Sequence, residues 1–376
     1  MSFMVRSAQR QDNQGILDLL ARTSMPGKVA LAFERAPDYF NGAHIACQRP
    51  DVYVLTPTES EQNTQDPPHE GVEILGVFNI GSRDLYVDGK PRSVYYVHDL
   101  RLDRSVRGGK ALMACYAKAR PIIKDDDMST TMLLAENIPV LRLLSKKKKG
   151  LPNIFHTADV ETSLVSGFNK SALGSSGLNI RRATLEDVPI MQAYLQQEGP
   201  KRQFFPCYNL NDMLAGDPYY LGQRIEDYWL AFDGDELKGL MGAWDQRGFR
   251  QTRVVSYSRT IELFRPFYNL WCVFSGAMRL PPAGQCFDYL MVHCVLIKDN
   301  DPLVFRDLLA HLQQCYRQDY HALVCGLCDR DPLFKAMQGF TRRKLHSYQF
   351  LGTWVERDPR QDIDPSLIPY ADVARL

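Results

Sequence analysis

Neither sign of charge dominates the 376-residue chain, which carries 45 lysines and arginines against 44 aspartates and glutamates. This balance gives no overall attraction to nucleic acid, so we expect no nucleic-acid partner. No apolar run approaches the roughly 20 residues that span a bilayer, so we expect no membrane partner either. The first residues show no charged and apolar leader of the signal-peptide type, which favours a cytoplasmic protein.

The nine cysteines do not have the spacing of a disulfide framework or a metal site. They are scattered and lie mostly inside apolar segments, as is typical of buried thiols in a reducing compartment. Cys325 and Cys328 are the one pair with ligand spacing, and neither a second pair nor a nearby His-x-x-His motif completes the four ligands of a structural zinc site. We therefore expect no metal.

The stretch 95–119 carries the clearest functional pattern. An alternating apolar run, 97–102, predicts a strand that leads through a basic, glycine-bearing loop into an alanine- and leucine-rich helix. The loop and the first helical residue are Arg104, Ser105, Val106, Arg107, Gly108, Gly109, Lys110 and Ala111.

This loop has the chemistry of a phosphate site. The first amides of a helix have no intrahelical acceptor and favour an anion, glycines allow close backbone approach, and arginine binds phosphate through two parallel hydrogen bonds. A glycine turn with solvated cations is the alternative. A nucleotide-binding P-loop is disfavoured because no G-x-x-x-x-G-K-[ST] pattern occurs.

The same segment resembles the acyl-CoA signature of the GNAT superfamily of N-acetyltransferases, a strand that ends in a Q/R-x-x-G-x-G/A loop. Gly109 and Ala111 match the two small positions, while Val106 stands at the Gln/Arg position. If the pattern instead starts at Arg107, Lys110 stands at the first glycine position, so the loop is one residue shorter than the common form. The resemblance implies acetyl-CoA as co-substrate. It assigns cofactor contacts to Leu100, Arg101, Leu102, Arg104, Val106, Arg107, Gly108, Gly109, Lys110, Ala111 and Asn137.

Asn137 stands where the family often places an asparagine that contacts the cofactor. A role as the N-cap of the following helix is the alternative, and the two roles are compatible.

The order of predicted elements over 3–168 also matches the GNAT plan. It reads strand, helices, three antiparallel strands, loop, helix, strand, helix and strand. In the second part of the chain, 180–187 repeats the pattern of 5–12 at a constant offset, and a similar order of elements follows.

We therefore predict an α/β protein, α+β in arrangement, with a mostly antiparallel sheet flanked by helices and two GNAT-like domains in tandem. The N-terminal domain, 1–168, binds acyl-CoA, and 169–177 is a small, polar linker. The C-terminal domain is 178–355. The tail, 356–376, is expected to cover a sheet edge or to mediate association, which leaves a homo-oligomer as a possible state.

The two predicted loops differ in charge. The loop at 298–302 lacks glycine and carries two carboxylates and a proline that removes a hydrogen-bond donor. Negative charge beside a pyrophosphate is unfavourable. We expect only the first half to bind acyl-CoA, with the second copy structural or shaping the acceptor site.

An aromatic helix at 261–274 is an insertion relative to the first half. Phe264, Phe267, Tyr268 and Trp271 recur at helical spacing. We expect them to pack at a core or a domain interface rather than to form a ligand site.

Direct acyl transfer to an amine needs a group that takes the amine proton, donors that polarise the thioester carbonyl, and an acid for the leaving thiolate. The resemblance implies that backbone amides near Leu100 and Leu102 polarise the carbonyl. His98 and Asp99 are the candidate bases, directly or through water, with a structural role for each as the alternative. As strand neighbours they are expected to point to opposite faces, so at most one faces the cleft.

The usual acid of the family, a tyrosine, would fall near 144–146, where this sequence has none. Ser145, a tyrosine from elsewhere or water would then serve. The expected function is an acetyl-CoA-dependent N-acetyltransferase that acts on a small-molecule or peptide amine, with its active site in the N-terminal half. The alternative is a non-catalytic acyl-CoA-binding or protein-interaction module.

Overall fold

The structure is a computed structural model that describes residues 2–25, 27–58, 73–107, 109–146, 148–168, 177–275 and 277–376. The predicted linker, 169–177, lies outside these residues except for Gly177, and Gly108 of the predicted phosphate loop lies outside them as well. Within the described ranges, no helix combines the length and the hydropathy needed to cross a bilayer.

The described residues form sixteen strands, most of them rich in β-branched and aromatic residues. In chain order they are β1 (Phe3–Ser7), β2 (Val29–Glu34), β3 (Val52–Pro57), β4 (Gly76–Val87), β5 (Lys90–Leu102), β6 (Ser129–Leu134), β7 (Asn153–Phe168), β8 (Asn179–Arg182), β9 (Arg202–Gln203), β10 (Tyr228–Asp233), β11 (Glu236–Trp244), β12 (Gln251–Tyr257), β13 (Tyr289–Ile297), β14 (Ala322–Cys328), β15 (Phe340–Thr353) and β16 (Ile368–Pro369).

Twelve of these strands form one sheet in the order β1-β3-β4-β5-β6-β15-β7-β14-β13-β11-β10-β8. The β5/β6 and β13/β14 pairs are parallel and the other pairs of this sheet are antiparallel. Two short ribbons, β2/β12 and β9/β16, stand apart from it. The predicted fold class, a mostly antiparallel sheet flanked by helices, is confirmed.

Eight α-helices accompany the sheet in the described residues. They are α1 (Asn13–Arg22), α2 (Tyr39–Ala46), α3 (Gly109–Ala119), α4 (Ile138–Leu144), α5 (Val188–Glu198), α6 (Leu210–Leu214), α7 (Arg259–Ser275) and α8 (Pro302–Tyr316). In α1, for example, Ile16, Leu19 and Leu20 are buried, because residues three and four apart share one face of a helix.

The first turn from strand to helix is built in the same way in both halves. Arg6 donates two hydrogen bonds of 2.7 Å to the Asp12 carboxylate, and Arg181 donates two of 2.7 and 2.6 Å to Asp187. Each aspartate also accepts a hydrogen bond from the backbone amide three residues before it. The same contacts therefore accompany the sequence repeat of 5–12 in 180–187.

The long strands β7 and β15 interlock the two halves. In sequence β7 ends the first half, yet it pairs with β14 of the second half. In turn β15, near the end of the second half, pairs with β6 of the first. The two strands also pair with each other along their length. Each half thus supplies a strand to the sheet of the other.

The aromatic face of α7 is exposed. Phe264, Phe267 and Trp271 are 58%, 69% and 55% exposed. The expectation that this face packs at a core or domain interface is wrong for these three residues, whereas Tyr268 is half-buried and packs against a small buried cluster. The helix is instead held from its other side, where Asn269 exchanges two 2.9 Å hydrogen bonds with the backbone of Leu280.

The predicted tail, 356–376, enters the interior of the protein. Its strand β16 pairs with β9, and the side chain of Arg375 is fully buried. Arg375 donates hydrogen bonds to the carbonyls of Ile45 at 2.8 Å and Tyr219 at 2.7 Å. The tail therefore fills interior space rather than only covering an edge.

Cys325 and Cys328, the pair with ligand spacing, are both buried in β14. Burial raises the pKa of each thiol to about 12. In the part of the chain that the structure describes, no group of three or more His, Cys, Asp or Glu residues is placed to hold a metal ion.

Candidate active site

The parallel strands β5 and β6 pair over two residues, in the middle of β5 and at the start of β6. The last ladder pair is Tyr96 with Thr130, after which the hydroxyl of Thr131 still donates to the Val97 carbonyl at 2.9 Å. Strand β5 continues to Leu102 without a further partner in β6. The two strands therefore part, and we call the gap between them the first opening.

The first opening leads into a cavity of about 480 Å³. Both halves of the chain contribute to its walls, which are mostly apolar, and the β2/β12 ribbon lines it as well. The apolar lining includes Leu31, Phe33, Ile123, Met132, Val140, Leu144, Leu164, Met291 and Val324.

A β-bulge in β5 turns both His98 and Asp99 towards this cavity. The pairing with β4 changes register between Arg101 and His98, and Asp99 has a φ of 53°, which is uncommon for a residue other than glycine. The two side chains are 6% and 11% exposed, and both line the cavity. The expectation that at most one of them faces the cleft is wrong, because the bulge breaks the alternation of the strand.

The bulge also decides which backbone amides face the first opening. Before the bulge, the carbonyl of Val97 faces β6, since it accepts from Thr131. After the bulge, the amide of Asp103 faces away from β6, since it donates to the Leu75 carbonyl at 2.8 Å. Along a strand, successive backbone amides point alternately to its two neighbours, and the extra residue of the bulge shifts this alternation by one. The amides of Leu100 and Leu102 therefore face the opening.

The cations that line the cavity are Arg35, Arg101, Arg250, Arg343 and Lys344, and the first three of them act on the carboxylate of Asp99 beside the bulge. The Nη2 atom of Arg35 lies 3.5 Å from Oδ2 of Asp99. Burial by itself raises the pKa of Asp99, but the positive charges of Arg35, Arg101 and Arg250 outweigh burial and hold the pKa well below its ordinary value. Asp99 is therefore charged at neutral pH.

His98 is held as a neutral imidazole. Its ring stacks on Tyr96 with 4.5 Å between centroids, its Nε2 atom lies 3.8 Å from Sγ of Cys47, and its Nδ1 atom lies 3.9 Å from Oδ2 of Asp99. Burial lowers the pKa of His98 to about 4, despite the opposing charge of Asp99. At neutral pH the ring can therefore accept a proton.

The loop after β5 places its cations on the surface. Asp103 caps a 3₁₀ turn, Arg104–Val106, by accepting from the Ser105 amide at 2.9 Å. Gly109 then begins α3, with open space where a side chain would stand. The exposed cations of the loop are Arg104, Arg107 and Lys110.

The other predicted site residues separate into two groups. The cavity is lined by Leu100, Arg101 and Asn137. Asn137 precedes α4, but its side chain does not cap that helix and remains able to contact a ligand. The apolar cluster beneath the loop contains Leu102, Val106 and Ala111. For these three residues, the backbone is the part that can contact a ligand.

The second half has an equivalent opening between β13 and β14, which we call the second opening. Its strand β13 is bulged after His293, and Cys294 has a φ of 51°. The turn Val373–Arg375 packs against both strands, and a Cβ atom at Gly326 would overlap Val373. The second opening is therefore filled by the protein's own chain.

The loop of the second half is also closed to anions. The Asp301 side chain accepts from the Leu303 amide at 2.8 Å and so caps α8 with its own carboxylate. Asn300 accepts a hydrogen bond of 2.6 Å from Arg202. In the first half, by contrast, α3 begins with Gly109, which has no side chain that could cap the helix.

No protein-family model and no curated protein matches the sequence. Solved structures match the fold. The GCN5-related N-acetyltransferase from Anabaena variabilis is 12% identical with a TM-score of 0.51, and the match covers 93% of this chain and 72% of that one. The GCN5-related N-acetyltransferase from Sphaerobacter thermophilus is 10% identical with a TM-score of 0.56, and the match covers 95% of this chain and 97% of that one. The fold is that of the GCN5-related N-acetyltransferases.

A further match to this GNAT-like fold is the N-myristoyltransferase of Saccharomyces cerevisiae with bound myristoyl-CoA. The identity is 9%, the TM-score is 0.58, and the match covers 98% of this chain and 89% of that chain. The GNAT-like fold predicted from the sequence is confirmed by these structures.

Within this GNAT-like fold, the cavity contains side chains that the sequence patterns did not indicate. Arg35 and Arg250 are distant in sequence and meet because β2 pairs with β12, where Glu34 lies opposite Gln251. No local pattern could have found this pair. Tyr116, in contrast, lies on α3, shortly after the signature loop. Its closeness to the loop in the sequence could have marked it as a residue near the cavity.

Three tyrosines line the cavity, whereas Ser145 is not among its lining residues. The Ser145 hydroxyl is exposed and donates to the Arg142 carbonyl at 3.0 Å. The tyrosines that line the cavity are Tyr96, Tyr116 and Tyr289.

Proposed function

We propose that the protein is an acyl-CoA-dependent N-acyltransferase that transfers an acetyl group from acetyl-CoA directly to an amine, with its active site in the first opening. One observation carries the proposal. A bulged strand of a GNAT-like fold parts from its parallel neighbour above a cavity and directs the amides of Leu100 and Leu102 into the gap. A thioester carbonyl that accepts hydrogen bonds from such amides is polarised for attack.

The pantetheine arm of the donor lies between β5 and β6 in this proposal. Its phosphates lie at the start of α3, where helix amides and the exposed Arg104, Arg107 and Lys110 favour negative charge. Asn137 contacts the donor from the far side of the gap, since its side chain faces the cavity.

His98 is the group that takes the amine proton. It lines the cavity and is neutral at neutral pH, because burial lowers its pKa to about 4. A weak base of this kind does not keep the proton, so the proton passes on to the leaving thiolate. Asp99, which is charged and lies near both His98 and Arg35, favours the protonated imidazole electrostatically and balances part of the positive charge of the arginines.

A longer acyl group is a second candidate. An acetyl group leaves most of the apolar wall of the 480 Å³ cavity uncovered, whereas a chain along this wall gains about 0.8 kcal/mol for each buried CH₂ group. The yeast neighbour binds myristoyl-CoA. Values of kcat/KM for donors from acetyl-CoA to myristoyl-CoA decide between the two, since they rise with chain length only if the chain occupies the cavity.

Thiol release from acyl-CoA in the presence of a panel of amines tests the proposal. We expect amine-dependent release that falls about ten-fold or more in Gly109→Asp, because a carboxylate at the start of α3 repels the phosphates. Open space at Gly109 lets the variant fold. The exposed Arg317, on the second half, supplies the control Arg317→Ala. Binding of CoA without release for any amine and donor supports the non-catalytic module instead.

A further inference from the structure

The charges that line the cavity near the bulge do not balance. Arg35, Arg101 and Arg250 face the carboxylate of Asp99. Within the described ranges, this carboxylate is the one acidic side chain that lines the cavity. The surface cations of the loop, in contrast, lie in solvent, where their charge is readily screened.

The hydrogen bonds of the arginines leave the imbalance in place. Arg35 donates to the Glu34 carbonyl at 3.2 Å and to Asp99 at 3.5 Å. Arg250 donates to the Gln246 side chain at 3.3 Å and to the Ala374 carbonyl at 2.9 Å, which are both neutral acceptors. In the part of the chain that the structure describes, neither Arg101 nor Arg250 has a carboxylate within ion-pair distance.

The environment penalises these unpaired charges. Burial, together with the neighbouring Arg35, lowers the pKa of Arg250 to about 10. Burial also lowers the pKa of Arg101, and Arg35 contributes in the same direction. Arg101 and Arg250 are half-buried, and a bound anion would relieve both penalties, since pairing stabilises a charge that is partly removed from water.

The position of the arginines separates this anion from the phosphates of CoA. Arg35 directly follows β2 and Arg250 directly precedes β12, so both belong to one end of the β2/β12 ribbon. The proposed phosphate contacts lie on the loop before α3. The ribbon arginines instead lie beside His98 and Asp99, where the acyl carbonyl and the amine meet.

We propose that Arg35, Arg101 and Arg250 bind a carboxylate of the acceptor, so that the acceptor is an amine carrying a carboxylate, as in an amino acid. This inference rests on the proposed function. The neutral amine nitrogen forms a bond to the thioester carbonyl carbon, and the C–S bond breaks with its electron pair going to sulfur. One N–H proton passes through His98 to the thiolate, which gives an N-acyl amino acid and the free CoA thiol.

Matched pairs of acceptors test the inference. Thiol release is measured with glycine against glycinamide and with alanine against alaninamide, each with the preferred acyl-CoA. We expect kcat/KM for the acid to exceed that for the amide by about ten-fold or more, the scale of a charge-assisted hydrogen bond. The amine of the amide is less basic, so more of it is neutral and able to attack at neutral pH, which favours the amide. A preference for the acid therefore cannot come from the basicity of the amine. Equal or higher values for the amides overturn the inference while leaving the proposed function intact.

Two substitutions at Arg250 locate the effect. Arg250→Gln removes the charge and is expected to raise KM for the acids about ten-fold and leave KM for the amides within two-fold. Arg250→Lys keeps the charge and is expected to restore part of the preference, and Arg317→Ala is expected to leave it unchanged. A loss of kcat for both members of each pair, with no change in their ratio, contradicts carboxylate binding by Arg250.

Direct binding separates the inference from the proposed function. N-acetylglycine and N-acetylglycinamide are titrated into the CoA-loaded protein by calorimetry, which requires no turnover. Tighter binding of the acid than of the amide, with the difference lost in Arg250→Gln, supports the anion site. This holds even if no amine gives thiol release, because the lack of release counts only against the proposed function. Equal binding of both probes to the wild-type protein overturns the inference.

Discussion

The first and second openings are formed by the same backbone geometry, but one leads into a cavity and the other is filled by protein. In each, a strand bulges after a histidine, His98 or His293, and then parts from its parallel neighbour. The first opening leads into a cavity, whereas Val373–Arg375 fills the second. The strand geometry therefore creates a space, and the side chains and the distant tail decide whether that space is a site or a core.

The residues around the two histidines show the same contrast. His98 lies near Asp99, Arg35 and Arg250. His293 packs against Trp244 and Tyr228, and neither of its ring nitrogens has a hydrogen-bond partner among the described residues. Around the first bulge the charged groups line a cavity, whereas around the second the buried Arg375 lies beside Asp372 and donates to backbone carbonyls in a packed interior.

The largest expected effect comes from removing the residue that holds the second opening closed. Arg375→Ala should reduce the free energy of unfolding by about 3–5 kcal/mol, because it strands Asp372 and the carbonyls of Ile45 and Tyr219 in the interior. Urea denaturation measures the change. Arg317→Ala should stay within about 0.5 kcal/mol of wild type. A loss below about 1 kcal/mol for Arg375→Ala would show that the tail does not hold the second half together.

The histidines should make the protein lose stability as the pH falls. Burial lowers the pKa of His98 from 6.5 to about 4, so between these values the unfolded chain binds a proton that the folded chain does not. The contribution lost over this window is up to roughly 3 kcal/mol. Burial also lowers the pKa of His293, well below its ordinary value, so its effect adds in the same direction.

Urea denaturation at a series of pH values between 4 and 7 tests both histidines. His98→Gln and His293→Gln should each flatten the dependence as the pH falls below the ordinary histidine pKa of 6.5. A variant with the same pH dependence as the wild type would mean that its histidine has the same pKa in the folded and the unfolded protein.

Filling the first opening should make it resemble the second. Met132→Trp places a large ring in the cavity and should lower kcat/KM for thiol release about 100-fold, because the acyl group can no longer reach its position. Met132→Leu, which nearly conserves volume, is the matched control and should stay within about two-fold. Circular dichroism checks that both variants are folded. Normal activity in a folded Met132→Trp would place the reaction elsewhere.

The smallest effect is expected at the loops. Arg107→Ala should raise KM for acyl-CoA about ten-fold with little change in kcat, since one charge-assisted hydrogen bond to phosphate is lost. Lys298→Ala, in the loop of the second half, should leave KM unchanged. An equal effect of the two substitutions would contradict the proposal that only the first loop holds phosphate. A reduced salt dependence of KM in Arg107→Ala is the additional sign of a lost phosphate contact.

The sequence predicted the fold class, much of the order of elements and the contrast between the loops at 104–110 and 298–302, because these depend on local periodicity, glycine and charge. It did not predict the strands β2 and β12. It did not predict the bulge at Asp99, since strict alternation is the default for a strand and the bulge depends on pairing with β4. The exposure of α7 was also missed, because helical spacing of aromatic residues defines a face without saying what covers it.

The sequence alone therefore predicted two similar halves and placed the basic, glycine-bearing loop in the first. The tertiary structure decided where the charges meet. Arg35 and Arg250 become neighbours through the pairing of β2 with β12, and Val373–Arg375 reaches the second opening from the end of the chain. Such contacts depend on strand pairing and packing between distant segments, and local sequence patterns carry no information about them.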